Sequence, residues 1–342
     1  MILAGDIGGT STRVALFEVE GERLVPRVQT NYPSAKYPGL ESILSEFLES
    51  NRSRIEAACF GIAGPIRQGR VKTPNLTWVV DAHQLSRQLG LEQVTLINDL
   101  ESTAYGIAVL DAPEFAVLNE GAPIDKGSRA VIAAGTGLGE AALHWDGKLH
   151  RPYASEGGHA DFAPRDELET ELLLHLRKRF GHVSYERVVS GPGLRNLYEF
   201  LRDSGRGAEP EWLSERLRQE DPSAVIATAA LEKSSELCVL ALERFVSSYG
   251  AEAGNLALKV LATGGVYVGG GIAPKILPKL KEPFFLESFL DKGRYRKLME
   301  AIPVKVILND RTALLGAAPH AALGAGMLGA RDPRPPRRTE RG

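Results

Sequence analysis

Two short glycine-rich stretches, GDIGGTSTR at residues 5–13 and GTGLG at 135–139, each interrupt a pair of strand-like runs. Gly8 and Gly9 remove the side chains that would keep a phosphate away from the backbone. Successive N–H groups in such a turn form a concavity for an anion, and Thr10 and Ser11 add hydroxyls to it. A tight hairpin needing a positive φ would explain one such turn equally well. The second turn, with Gly135, Thr136, Gly137 and Gly139, tips the reading toward two clasps on one polyphosphate. Asp6 at the mouth of the first turn suits a magnesium ion held through water, because that cation keeps much of its hydration shell; capping the turn is the plainer role. A third cluster, Gly269 to Gly271, stands between a strand and a helix, where a flat ring could lie against Gly270 and Gly271 unless the bend is only a connection.

Other nucleotide motifs do not fit. Glu140 stands where the dinucleotide fingerprint needs its third glycine, and a strand follows instead of a helix. No GxxxxGK[ST] stretch occurs. Polar side chains elsewhere form a second set. Asp99 ends the buried run VTLIN and opens a helix, a position suited either to capping that helix or to projecting from a sheet edge into a cleft. Its neighbour Asn98 offers both a donor and an acceptor. In SEGGHADF, Glu156 and His159 flank two glycines, a pairing that suits adjacent hydroxyls of a polyol if it is more than surface polarity. Metal binding by this pair is a poor alternative, since the glycines break the helix that would align it. Glu186 in YERVVSGPG and Asn75 in PNLTW complete the set.

The elements that must position these residues repeat. MILAGDI, the first glycine turn, RVALFEVE and LVPRVQT read as an antiparallel meander, followed by helices and the buried runs IEAACFGIAG and VTLIND. RAVIAAG, the second glycine turn, EAALHWDG and KLHRPYA restart that pattern before a largely helical stretch. A helix is expected from about Ile272, a late strand at VKVIL, and a terminal helix TALLGAAPHAAL broken at Pro319. A chain of 342 residues fits two domains: a small α/β lobe of 1–110 plus 303–328, a large α/β lobe of 111–302, and a disordered Arg/Pro-rich tail at 329–342.

Composition removes several classes of partner. The 41 basic and 43 acidic residues leave a net charge of −2, which offers no footprint for nucleic acid or an anionic membrane. Cys59 and Cys238 are far apart in apolar runs, so neither a disulfide framework nor a thiolate zinc site is expected. With no secretory pattern at the amino terminus and no run of roughly 18 apolar residues, a cytoplasmic protein is expected.

GDIGGTSTR, PNLTW, LINDLESTAYG, AGTGLGEA, SEGGHADFAP, YERVVSGPGL and GGVYVGGGI stand in the order and rough spacing of the bacterial glucokinase family, within the hexokinase, actin and sugar-kinase superfamily. The resemblance covers residues 1 to about 328. It implies a duplicated ribonuclease-H-like fold of the actin/hexokinase type, two lobes closing on a central cleft, Mg-ATP, and transfer of the γ-phosphoryl group to the 6-hydroxyl of glucose. It places Asp99 on the catalytic base and Asn98, Asp99, Glu156, His159 and Glu186 on glucose; Asn75, in the excursion PNLTW, could reach the sugar from the smaller lobe. A homodimer is the family expectation. Ser11 departs from the asparagine of many relatives, and Glu140 is expected to turn away from the phosphates because like charge would weaken ATP binding. Rival readings are a kinase for another hexose and a non-catalytic sugar-sensing regulator on the same fold. The missing cysteine-rich zinc motif lowers the first, and a chain that starts at its first strand, with the candidate base present, argues against the second.

Overall fold

The computed structural model describes residues 1–329 except Glu22, Pro74 and Asn75, together with the backbone but not the side chain of Ala154. The expected tail from residue 330 onward and the candidate Asn75 therefore lie outside the described residues. The chain divides into two units. One comprises Met1–Glu114, Ala141–Ala154 and the chain from Asn309; the other comprises Phe115–Glu140 and Ser155–Leu308.

The first unit opens with β1 (Ile2–Ile7), β2 (Ser11–Glu20) and β3 (Arg23–Pro33), which pair antiparallel as the alternating sequence requires. β4 (Ala57–Ile62) runs parallel to β1, the short β5 (Arg70–Lys72) and β6 (Val79–Asp81) pair with each other, and β7 (Val94–Asn98) runs parallel to β4. The sheet order is β3-β2-β1-β4-β7. Side chains alternate across it. Leu3 and Ile7 of β1 pack with Phe60 and Ile62 against Leu40, Ile43, Phe47 and Leu85 of the helices Leu40–Ser50 and Ala82–Leu89. Ile2 and Ala4 face the other way, with Cys59 and Ile97, toward Leu314, Ala317 and Ala318 of the helix Thr312–Gly324.

The six-stranded sheet consists of β8 (Phe115–Asn119), β9 (Arg129–Ala134), β10 (Leu138–Trp145), β11 (His150–Ser155), β12 (Gly265–Gly269) and β13 (Val304–Ile307), in the order β11-β10-β9-β12-β13-β8; its residues 141–154 are counted with the first unit and the rest with the second. β12 is parallel to both β9 and β13, and β8 closes the edge antiparallel to β13. Without β8 the order repeats that of the first sheet, so the expected duplication is present. The 25-residue helix Glu236–Val260 buries Tyr249 among these strands. The Tyr249 hydroxyl accepts from Ala134 N–H at 3.1 Å and lies 3.2 Å from the carbonyls of Ile132 and Gly269, fixing the ends of β9 and β12 together.

Three expectations are corrected. The second unit, expected at 111–302, comprises Phe115–Glu140 and Ser155–Leu308: Val304–Ile307 pairs with β12 and β8, and residues 141–154 are counted with the first unit. The helix expected from Ile272 is replaced by turns and by the helices Leu277–Leu280 and Pro283–Leu290, because each of Pro274, Pro278 and Pro283 lacks a backbone donor. Pro319 does not break the terminal helix, which runs unbroken through it from Thr312 to Gly324. Burial of the surrounding Ala317, Ala318, Ala321 and Ala322 outweighs one lost hydrogen bond.

That terminal helix lies directly on the helix Asp99–Gly106. A Cβ at Gly316 would overlap the Ser102 carbonyl and one at Gly106 the Thr312 carbonyl, while Ser102 Oγ donates to Ala313 O at 2.6 Å. Gly316→Val is expected to cost about 1–3 kcal/mol through overpacking, read as a lower melting temperature. Gly324→Ala, where a Cβ meets nothing, is expected to leave melting unchanged or raise it slightly.

Candidate active site

In the first unit the register aligns Ile7, Ile62 and Asn98, so the chain leaves β1, β4 and β7 at one edge of the sheet. Loops at the carboxyl ends of parallel strands are where α/β folds bind ligands. Asp6 is next to last in β1, half-buried, with Arg13 of β2 at 3.9 Å. Burial pushes the Asp6 carboxyl up to about 6; Arg13 pulls it down, and the Asp99 and Asp310 carboxylates push it up. Arg13 also forms an ion pair with Asp310 at 2.6 Å and donates to the Asp310 carbonyl, which ties the glycine turn to the loop before the terminal helix.

The GDIGG turn is braced from beneath by a residue that sequence reading missed. Ser34, fully buried, donates from its hydroxyl to Gly8 O at 2.8 Å and from its backbone to Thr10 O at 3.1 Å, and its Oγ lies 3.0 Å from Thr12 Oγ1. Nothing in the local sequence marks it. Gly8 N–H is used within the turn, donating to Ser11 O at 3.0 Å. Neither Gly8 nor Gly9 has a positive φ, so a left-handed hairpin is not the reason for these glycines.

The capping role that is the plainer reading of Asp99 falls to Asn98 instead. Asn98 caps the helix Asp99–Gly106: its Oδ1 accepts from Leu100 N–H at 2.9 Å and Glu101 N–H at 3.4 Å, leaving its amide nitrogen as the group to offer a ligand. Asp99 is the first helical residue. It is half-buried, with Oδ1 3.0 Å from Leu100 N–H, and its carboxylate acts on Asp6 electrostatically.

In the second unit β9 and β12 also end together, with Ala133 opposite Gly269. The turn after β9 is closed by Gly135 N–H to Gly137 O at 2.8 Å and anchored by Gly191 N–H to Gly135 O at 2.8 Å, which brings the SGPG stretch to it. Gly135, Gly137 and Gly139 have no positive φ, and a Cβ on Gly135 would meet nothing within 4 Å. The third cluster divides by role. Gly270 has φ +82 and lies against the Ala134 backbone, as the bend itself requires, whereas a Cβ on Gly271 would point into open space.

Glu186 links this turn to the polar pair. Its Oε2 accepts from Leu138 N–H at 2.9 Å, and its Oε1 lies 4.0 Å from His159 Nδ1, whose Nε2 is 3.9 Å from Glu156 Oε2. Glu156 and His159, three residues apart, and the more distant Glu186 thus form one row, with His159 between the carboxylates and 57% of its side chain exposed. The two glycines between Glu156 and His159 are demanded by packing. A Cβ on Gly157 would overlap the Glu140 carboxyl, and one on Gly158 the Leu138 carbonyl. Glu140 itself is buried in the interior of the unit, beside Gly157 and Glu252. Asp6, Asn98, Asp99 and the first turn belong to one unit, and Glu156, His159, Glu186 and the other glycine clusters to the other.

Among the described residues no helix is long and apolar enough to cross a membrane, and no cluster of three His, Cys, Asp or Glu side chains is arranged to hold a metal.

The glucokinase family model matches residues 3–323 of this chain. A glucokinase of Nostoc punctiforme is 45% identical over 337 residues, covering 94% of this chain and 99% of that protein. In three dimensions the chain is similar to a glucokinase from an Antarctic psychrotroph, at 31% identity and a TM-score of 0.82, covering 94% of this chain and 98% of the other. It shares its fold, at 21% identity and a TM-score of 0.64, with a ROK family glucokinase from Streptomyces griseus solved with glucose and AMPPNP, covering 94% and 99%. The actin/hexokinase-type α/β fold expected from the motifs thus stands, and with a match over nearly its whole length the chain belongs to the glucokinase family.

Proposed function

We propose that the chain transfers the γ-phosphoryl group of ATP to the 6-hydroxyl of glucose, with Asp99 as the general base. The observation that carries this reading is the end of β7, where Asn98 takes over the helix cap and Asp99 is left at the carboxyl edge of a parallel sheet. The family match and the glucose and AMPPNP complex of the Streptomyces griseus enzyme support the pair of substrates. Phosphoryl transfer asks a protein for positioning and charge stabilisation more than for covalent chemistry. The sugar oxygen bonds to the γ-phosphorus, the bond to the ADP oxygen breaks, and the hydroxyl proton passes to the Asp99 carboxylate.

Glu156, His159 and Glu186 would hold the remaining hydroxyls, the carboxylates accepting and the imidazole donating or accepting. Asn98 would add a donor through its amide, and Asn75 is proposed as a further contact. Gly8, Gly9, Thr10 and Ser11 in one turn and Gly135, Thr136, Gly137 and Gly139 in the other would receive the phosphates, with Gly270 and Gly271 beside the base of the nucleotide.

Magnesium fits the residues present. Asp6 lies in the field of the Asp99 and Asp310 carboxylates, with Arg13 beside Asp6 and paired with Asp310, an acidic corner that a divalent cation would offset, and one that offers Mg2+ single carboxylates in place of an all-protein cage. Asp6 would hold the ion through water, and the ion would neutralise charge on the transferred phosphoryl group.

Three measurements test this reading. With Mg-ATP in a coupled assay of ADP formation, glucose is expected to be turned over ahead of fructose, mannose and N-acetylglucosamine, yielding the 6-phosphate. Binding of glucose without turnover of any of them would favour the sugar-sensing alternative. Asp99→Asn is expected to fold and bind glucose yet lose roughly 10²-fold or more in kcat, and unchanged turnover would remove Asp99 from the role. Because Glu186 contacts both the second turn and His159, Glu186→Ala is expected to raise KM for glucose and for ATP, each by about tenfold or more, where a pure sugar ligand would move only the first.

A further inference from the structure

Resting on the reading of Glu156 and His159 as sugar ligands, we propose that Glu140 is a positioning residue for those two: its carboxyl group, beside Glu252, forms the floor on which the Gly157–His159 turn is set. Glu140 is 1% exposed on β10, two residues beyond Leu138, whose N–H holds Glu186. Gly157 rests against the Glu140 carboxyl so closely that no side chain fits between them, and Gly158 rests the same way on Leu138 O. The loop bearing Glu156 and His159 therefore takes its height from the first three residues of β10.

From the other side, Glu252 of the helix Glu236–Val260 is fully buried and hydrogen-bonds with Glu140. Glu252 accepts from Asn255 Nδ2 at 2.9 Å and Lys259 Nζ at 3.2 Å, and Asn255 Nδ2 also donates to Tyr185 Oη at 3.0 Å. Tyr185 immediately precedes Glu186. One polar network thus runs from beneath Gly157 to the backbone that carries Glu186. Glu140 Oε1 has no hydrogen-bond partner among the described residues. A half-satisfied buried carboxyl costs stability, and packing alone would be better served by an apolar residue.

Two buried carboxyls in contact cannot both be ionised cheaply. Burial, with the Glu252 charge adding and Lys259 opposing, pushes the Glu140 carboxyl up to about 8, so near neutrality it carries the shared proton. The titratable groups around the pair are Tyr249 and Lys259 on the same helix as Glu252, Tyr185 with Arg165 near it, and Lys292. Above about pH 8 Glu140 ionises in a buried setting that disfavours its charge, and the floor under Gly157 is expected to give way. Stability follows the same proton. Between the ordinary carboxylate range and about 8 the folded chain keeps a proton that the unfolded chain has released, so this group's contribution declines as pH rises through that window and levels off above it.

The test compares wild type, Glu140→Gln and Glu140→Ala in the glucose and ATP assay from about pH 6 to about pH 9.5, with melting temperatures over the same range. Glutamine keeps a neutral hydrogen-bonding group and cannot ionise. Wild-type KM for glucose is expected to rise above about pH 8 while that of Glu140→Gln stays flat, and the decline in melting temperature toward that pH is expected to be shallower in Glu140→Gln. Glu140→Ala is expected to raise KM for glucose about tenfold with little change in KM for ATP. Superimposable pH profiles of wild type and Glu140→Gln, or an alanine variant that shifts both KM values equally, would overturn the proposal and leave the glucose reading intact. Wild type with no glucose-dependent turnover would overturn both.

Discussion

Parallel pairing of β4 with β1 and β7, and of β9 with β12, is the constraint from which the candidate site follows. Parallel strands send every following loop out of the same edge, so residues from β1, β7 and their connections converge without any sequence proximity. Asp99, 93 positions from Asp6, pushes the Asp6 carboxyl up because the end of β7 is separated from β1 only by β4. The same rule in the second sheet brings the turn after Ala134 beside the bend at Gly270, and Tyr249 fastens both from below.

The glycines of these loops do two kinds of work. Gly157, Gly158, Gly137, Gly106 and Gly316 exist because another group already occupies the space of a Cβ: the Glu140 carboxyl, a carbonyl, or the Glu186 carboxylate. Gly135 and Gly271 have no such neighbour, and there the missing side chain leaves open space beside the backbone. Only the second kind suits close approach of a ligand, while the first kind sets the distances between the elements that carry functional side chains. The EGGH spacing is therefore a packing requirement of β10.

Charge is distributed unevenly in these loops. Asp6 feels the Asp99 and Asp310 carboxylates with one guanidinium, Arg13, beside it, and Glu140 and Glu252 share a buried position with one lysine nearby. Both arrangements hold more acid than local base can balance. In the first the excess suits a cation arriving with phosphates. In the second it is relieved by retaining a proton, which ties the geometry of a loop to an ionisation state.

The sequence by itself determined the turn chemistry, the alternation of the two meanders and their repetition, and hence the fold, because these are written in residues close together along the chain. It also marked Asp99, Glu156, His159 and Glu186 as polar groups in unusual settings. Only the tertiary structure decided that Asn98 and not Asp99 caps its helix, that Ser34 braces the first turn, that Glu186 spans from Leu138 to His159, and that Glu140 lies buried against Gly157. It also decided that Pro319 stays within a helix, since burial of the flanking alanines outweighs a local preference. The physical reason is common to all of these. Periodicity and turn propensity act over a few residues, whereas the partner of a buried polar group is fixed by packing between elements that may be a hundred residues apart.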